Sequence, residues 1–167
     1  MNIGVYFERI MQKLSHREIQ LYLLDILKAV DSFCVKEGIR YSMAYGTLLG
    51  AVRHKGFIPW DDDICRLMPR PDYERFVSMF GKEPGSRYRC LCHKEGVKDD
   101  RFVHFFAKVE DVKTKSLQGR GYDYDFGLNI DIFPMDGKPE DPDLQRKRER
   151  QLTHWSHRLN ICGTRFD

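Results

Sequence analysis

The sequence predicts a mixed α/β (α+β) domain, a mixed β-sheet flanked by helices. Three observations carry this reading. A capped amphipathic helix stands near the N-terminus, several short runs rich in aromatic and β-branched residues follow it, and further helical segments are interleaved with those runs.

The first element is a helix from Ser15 to Glu37. Ser15-His16-Arg17-Glu18 has the form of a capping box, in which hydroxyl and carboxylate each satisfy an orphan backbone N–H. Ile19, Leu23, Ile26, Leu27, Val30 and Phe33 recur at helical spacing and predict one buried stripe. Gly38 is the stop, since glycine accepts the left-handed conformation past a helix end.

Ile39 to Tyr45 alternates as a short strand does, Gly46-Thr47 marks a turn, and Leu48 to Val52 predicts a short helix. After a loop from Arg53 to Pro59, Trp60 to Met68 predicts a second strand. Pro69, Pro71 and Asp72 open a helix running through Phe76 and Phe80. Arg87 to His93, Phe102 to Val109 and Leu128 to Phe133 are further strand candidates. Gly81 to Ser86 and Lys94 to Asp100 are polar turns. Pro134 is expected to end the last strand, because proline cannot donate to a ladder. Asp141-Pro142 opens a charged helix reaching about Asn160.

At 167 residues, 41% hydrophobic and 32% charged, the chain has the size and composition of one globular domain, taken as residues 1–167. A net charge of +3 suits an anionic ligand such as a nucleotide without pointing to nucleic acid. No stretch reaches the roughly 20 apolar residues that cross a bilayer, and no secretory signal is seen. A cytoplasmic location is expected, with association at the inner membrane surface left open. The five cysteines are odd in number and scattered, which fits a reducing compartment. Cys90-Leu91-Cys92-His93 lacks the spacing and the second ligand pair of a zinc site, so strand alternation explains it better.

The chemistry concentrates in Gly46-Thr47, Arg53-His54-Lys55-Gly56 and Pro59-Trp60-Asp61-Asp62-Asp63-Ile64-Cys65. On a strand, Asp61 and Asp63 would project together and Asp62 to the other side. Paired carboxylates repel unless a cation sits between them, and Mg²⁺ (or Mn²⁺) prefers such oxygens together with substrate phosphates. A solvated turn is the plain alternative; the apolar anchors Trp60 and Ile64 argue against it. Gly46 and Thr47 precede a helical turn whose free N–H groups can bind phosphate, although a Gly-Thr pair alone is only a turn. Arg53, His54 and Lys55 are candidates to hold phosphate as the loop closes, and a solvated loop explains them as well.

Asp131 lies among apolar neighbours in a second acidic strand, where burial is costly without a cation or donors. It could be a third metal ligand, the base for an acceptor hydroxyl, or a buried partner of an arginine. Asp136 before Gly137 reads as turn chemistry. The tract Arg146-Lys147-Arg148 with Arg150 reads as a solvated helix face, and His154 and His157 as weak metal candidates.

The run from Tyr45 through Gly46-Thr47-Leu48-Leu49-Gly50-Ala51-Val52-Arg53-His54-Lys55-Gly56-Phe57-Ile58-Pro59-Trp60-Asp61-Asp62-Asp63-Ile64 resembles the LicD family. So do Pro69 to Phe76 and Ile130 to Gly137, in the expected order. The group includes bacterial phosphocholine transferases and is related to the fukutin-related proteins. The resemblance implies a nucleotidyltransferase-type fold and transfer of a phospho-alcohol, phosphocholine from CDP-choline, to a hydroxyl of a lipopolysaccharide or teichoic acid type glycan. It carries Gly46 and Thr47 onto the phosphate cradle, and Asp61, Asp63 and Asp131 onto acidic positions. Cys65 departs from the family, which usually has Asp there, and the chain is shorter than members usually are. If Asp61 and Asp63 form the metal pair, the thiol is tolerable; if Asp63 pairs with position 65, a ligand is lost. The alternatives are a catalytically impaired nucleotide- or glycan-binding domain, or a nucleotidyltransferase acting on RNA or an aminoglycoside-like molecule.

Overall fold

The computed structural model describes residues 13–93, 104–115 and 126–163, apart from the side chains at 156, 157 and 159–163. The order is α1 (His16–Glu37), β1 (Ser42–Met43), α2 (Tyr45–His54), β2 (Cys65–Pro69), α3 (Arg70–Met79), β3 (Tyr88–Leu91), β4 (Ala107–Asp111), β5 (Asn129–Met135) and α4 (Pro142–Gly163). The strands form one mixed five-stranded sheet, β1-β2-β5-β4-β3. Only β2 and β5 run parallel; the other neighbours are antiparallel.

α1 forms as its sequence predicts. Glu18 N–H donates to Ser15 Oγ at 3.3 Å while Ser15 N–H donates to Glu18 Oε2 at 2.8 Å, closing the capping box. Gly38 ends the helix at φ +64, where its N–H meets the carbonyls of Cys34 and Val35. Leu23, Ile26 and Val30 are buried, and Ile19, Leu27 and Phe33 pack against them.

The sheet has two unlike faces. Arg66, Met68, Ala107, Val109, Ile130 and Ile132 are buried beneath α1 and α3 together with Phe76. Strand alternation turns Cys65, Leu67, Lys108, Asp131 and Phe133, all half-buried, the other way. Phe33, Phe76 and Phe80 lock α1 to α3 through edge-to-face and stacked contacts of 4.8 to 5.9 Å.

Several strand bounds differ from expectation. The strand expected over 39–45 is only Ser42–Met43. The expected strand over 87–93 narrows to Tyr88–Leu91, carrying buried Cys90, and the one over 102–109 is Ala107–Asp111; residues 102 and 103, like the turn at 94–100, lie outside the described residues. Pro134 does not stop β5, which continues to Met135. Asp131 N–H points at β2, donating to Ile64 O, so position 134 faces the β4 side. There the β4 ladder has already ended at Ala107 opposite Ile132, and no donor is needed.

Asp136 is not merely a turn residue. Arg70 at the head of α3 donates to both its carboxylate oxygens at 2.7 Å, tying the end of β5 to α3. This ion pair holds the Asp136 carboxyl below its ordinary range. Its contribution is therefore present at neutral pH and disappears as pH falls through that lowered value. Because both side chains are well exposed, Asp136→Asn should cost less than about 1 kcal/mol at pH 7. Urea unfolding should show the difference at pH 7 and its progressive narrowing as pH falls below the ordinary carboxylate range.

Candidate functional site

The site begins where α2 starts. Ala44 is extended and Tyr45 turns the chain at φ +49, so the helix opens at once. Gly46 and Thr47 therefore form its first turn, not a turn ahead of a helix at Leu48. Alanine has no side-chain oxygen to cap the helix, which leaves the first-turn N–H groups available to an anion.

Both residues also fix the acidic segment. A Cβ on Gly46 would stand 2.8 Å from Asp61 Oδ2, so only glycine lets that carboxylate lie against the helix start. Thr47 Oγ1 accepts the Cys65 N–H at 2.8 Å, fastening α2 to the first residue of β2.

The acidic run lies before the strand, not within it. β2 starts at Cys65, so alternation does not place Asp61 and Asp63. Instead Asp61 N–H donates to Ile58 O at 2.9 Å, and Asp61 O accepts from buried Gln20 Nε2 at 2.9 Å. Ile64 is the buried anchor expected; Trp60 is not, being 79% exposed. The tight turn over 58–61 points the indole outward, against His54.

Parallel register sets Cys65 beside Asp131, and antiparallel register sets Lys108 on its other side. Lys108 Nζ donates to Asp131 Oδ1 at 2.5 Å and to Asn129 Oδ1 at 3.0 Å. Of the readings left open for Asp131, ion pairing is realised, with a lysine in place of the arginine.

Crowding and charge act together here. Partial burial, then Asp61, Asp131 and Asp62, raise the Asp63 carboxyl above its ordinary range, and Lys108 opposes the shift. The Cys65 thiol is pushed up to about 11 by burial and by Asp131, Asp63 and Asp61, so it stays protonated at neutral pH.

A cavity of about 560 Å³ opens at this point between α1, α2 and the 55–58 loop. Gly46, Thr47, Asp61, Asp63 and Lys55 line its polar end, while Leu21, Leu24 and Leu27 line the apolar wall. Lys55 closes α2 in the left-handed conformation, its N–H on Gly50 O. Arg53 and His54 are exposed and do not line the cavity. Arg146, Lys147, Arg148 and Arg150 are exposed on α4, as is His154; the His157 side chain lies outside the described residues.

Among the described residues, no three His, Cys, Asp or Glu side chains gather as a ready metal cage. A hard ion such as Mg²⁺ needs only one or two carboxylates, taking its remaining ligands from phosphate and water. Asp61 and Asp63 fit that requirement; Asp131, the third ligand expected, is ion-paired with Lys108 through Oδ1. Lys108 and Phe106 were missed in the sequence. The available signal was the lone lysine in the apolar run Phe106-Ala107-Lys108-Val109, since a cation in a strand centre implies a buried acid elsewhere.

A mixed sheet, a Gly-Thr helix start and an acidic segment lying against it make up the site of this α/β domain. The sequence model described as "LicD/FKTN/FKRP, nucleotidyltransferase domain" matches residues 38–158, and the chain belongs to this family. It is 39% identical over 156 residues to the lipopolysaccharide cholinephosphotransferase LicD of Haemophilus influenzae, covering 93% of this chain and 57% of that protein. It is 36% identical over 70 residues to the human ribitol 5-phosphate transferase FKRP, covering 42% of this chain and 13% of that protein. An uncharacterised Rickettsia typhi protein is 48% identical over 133 residues, covering 69% of this chain and 38% of its own length. The chain thus spans little more than half of the Haemophilus relative. Among the described residues no helix is long and apolar enough to cross a membrane.

Because partial burial and the neighbouring carboxylates both penalise ionised Asp63, Asp63→Asn should raise thermal stability at pH 7. The sign follows from its raised value: stability is lost as pH climbs from the ordinary carboxylate range through the raised one, and is unaffected below both. Melting curves should show a higher Tm for the variant at pH 7 and coincident values near pH 3.

Proposed function

We propose that the chain is a metal-dependent phosphotransferase that moves a phospho-alcohol, phosphocholine, from a CDP-linked donor to a glycan hydroxyl. The observation that carries this reading is the contact of Asp61 with Gly46 at the start of α2. It sets the Asp61 carboxylate against an uncapped helix start, and Asp63 lines the same cavity. A diphosphate is the ligand that uses both. Similarity to a lipopolysaccharide cholinephosphotransferase supports choline as the alcohol and a lipopolysaccharide-type glycan as acceptor.

In this reading the first-turn N–H groups of α2 and Lys55 hold the diphosphate. A divalent ion on Asp61 and Asp63 would neutralise charge on the phosphates and the departing nucleotide. The acceptor hydroxyl oxygen forms a bond to the phosphorus bearing choline, and the bond from that phosphorus to the CMP oxygen breaks. Asp131, facing the same side as Cys65 and oriented by Lys108, takes the hydroxyl proton. Thr47 orients the start of β2 through Cys65.

Cys65 favours a second reading, a domain that binds the same ligands without turnover. Its protonated thiol stands beside Asp131 and is a poor ligand for a hard ion.

Release of CMP from CDP-choline, with Mg²⁺ and a lipopolysaccharide-type acceptor, tests both readings. The native chain should release CMP; turnover only after Cys65→Asp would establish the binding-domain reading instead. Asp63→Asn should lower turnover at least about 100-fold, as removal of a charge-stabilising group does. Gly46→Ala should do the same while leaving the urea midpoint nearly unchanged, because the added methyl displaces only the flexible Asp61 carboxylate. Full activity in both variants would overturn the mechanism.

A further inference from the structure

Beside the charged row Cys65–Asp131–Lys108 runs an aromatic one. Phe133, two residues beyond Asp131, shares its face of the sheet, and Phe106, just ahead of β4, meets it with ring centroids 4.4 Å apart. Tyr45 closes the row from α2, edge-to-face on Phe133 at 5.6 Å. Tyr45 is 64% exposed, and its backbone is held at φ +49, a conformation costly for a residue with a side chain. That cost is spent holding an aromatic ring next to Gly46 and Thr47.

We propose that Tyr45, Phe133 and Phe106 form a binding wall for a quaternary ammonium group, with the attached phosphate at the start of α2. The proposal rests on the phosphocholine reading above and names the side chains that would recognise the alcohol. Aromatic faces carry partial negative charge and attract cations that are too weakly hydrated to prefer water. Phe106 already takes a cation, since Lys108 Nζ lies 5.3 Å from its ring centroid. Asp131 shares the face of these rings, with Lys108 paired to it. A neutral alcohol gains nothing from the ring faces beyond apolar contact. Connectivity also fits: two carbons separate the phosphate oxygen of phosphocholine from its nitrogen, and Tyr45 is adjacent in sequence to the first N–H groups of the helix.

The test is binding of phosphocholine to the full chain, with Mg²⁺ present, against 3,3-dimethylbutyl phosphate, which replaces the ammonium nitrogen by carbon. The native chain should bind phosphocholine about tenfold more tightly than the neutral isostere. Tyr45→Leu should remove most of that preference, while Tyr45→Phe, which keeps the ring face, should retain it. Exposure of Tyr45 makes both variants safe for folding, and Phe106→Leu gives an independent second reading. Equal binding of the two phosphates by the native chain, or an undiminished preference in Tyr45→Leu and Phe106→Leu, overturns the wall. So does a Tyr45→Leu defect confined to CMP binding, which would make the rings a base-stacking surface. Failure of the wall is separable from failure of the function: CMP release from CDP-choline would persist, with KM for CDP-choline and CDP-glycerol changed alike in Tyr45→Leu.

Discussion

The parallel pairing of β2 with β5 is the constraint on which the rest of the site depends. Its register places Cys65 opposite Asp131 and Arg66 opposite Ile132, so one face receives the charged groups and the other the core. A slip of one residue would exchange the faces, burying Asp131 under α1 and α3 and exposing Ile130 and Ile132. The hydrophobic contacts of Phe76, Ile26 and Val30 with that sheet therefore hold the chemistry in place as well as the fold. Antiparallel β4 then completes the row by bringing Lys108 to Asp131 from the far side.

The register has one expensive consequence. Arg66 follows Cys65 and must point inward, where it is almost wholly buried. Its Nε and Nη1 lack hydrogen-bond partners among the described residues, and its guanidinium lies 3.9 Å from the centroid of the Tyr41 ring. An unpaired buried donor costs on the order of 1–3 kcal/mol, which cation–π contact offsets in part. The Tyr41 hydroxyl is in turn anchored on Asp31 of α1. Arg66 thus couples β2 to α1 through an aromatic ring, at the position next to the site.

What the sequence disclosed, and what it hid, divides along physical lines. α1 was legible to its ends because its capping box and Gly38 are local devices that act through neighbouring residues alone. The mixed sheet was legible from the alternation of apolar runs. Gly46, Thr47, Asp61 and Asp63 were legible as residues, but the reason for their meeting was not. The expected mechanism was same-face alternation on a strand; the actual one is a tight turn, a Gln20 contact and the space left by a missing Cβ. The last two are long-range in sequence, as is the Lys108–Asp131 pair, and no periodicity reports them. Trp60 misled because a large apolar residue is read as buried by default, whereas the turn before it decides where the ring points.

Cys65 can be understood in terms of the charge around it. Asp61 and Asp63 share their cavity with Lys55 and Arg17, and Asp131 beside them is paired with Lys108. A carboxylate at position 65 would stand beside Asp131 and within reach of Asp63, adding to a repulsion that already raises the Asp63 carboxyl. The thiol remains neutral and adds nothing to that repulsion. Lys108 acts in the same direction, neutralising Asp131 from the side away from β2. Part of the electrostatic demand of the acidic cluster is thereby met by groups fixed in the sheet, before any ligand enters.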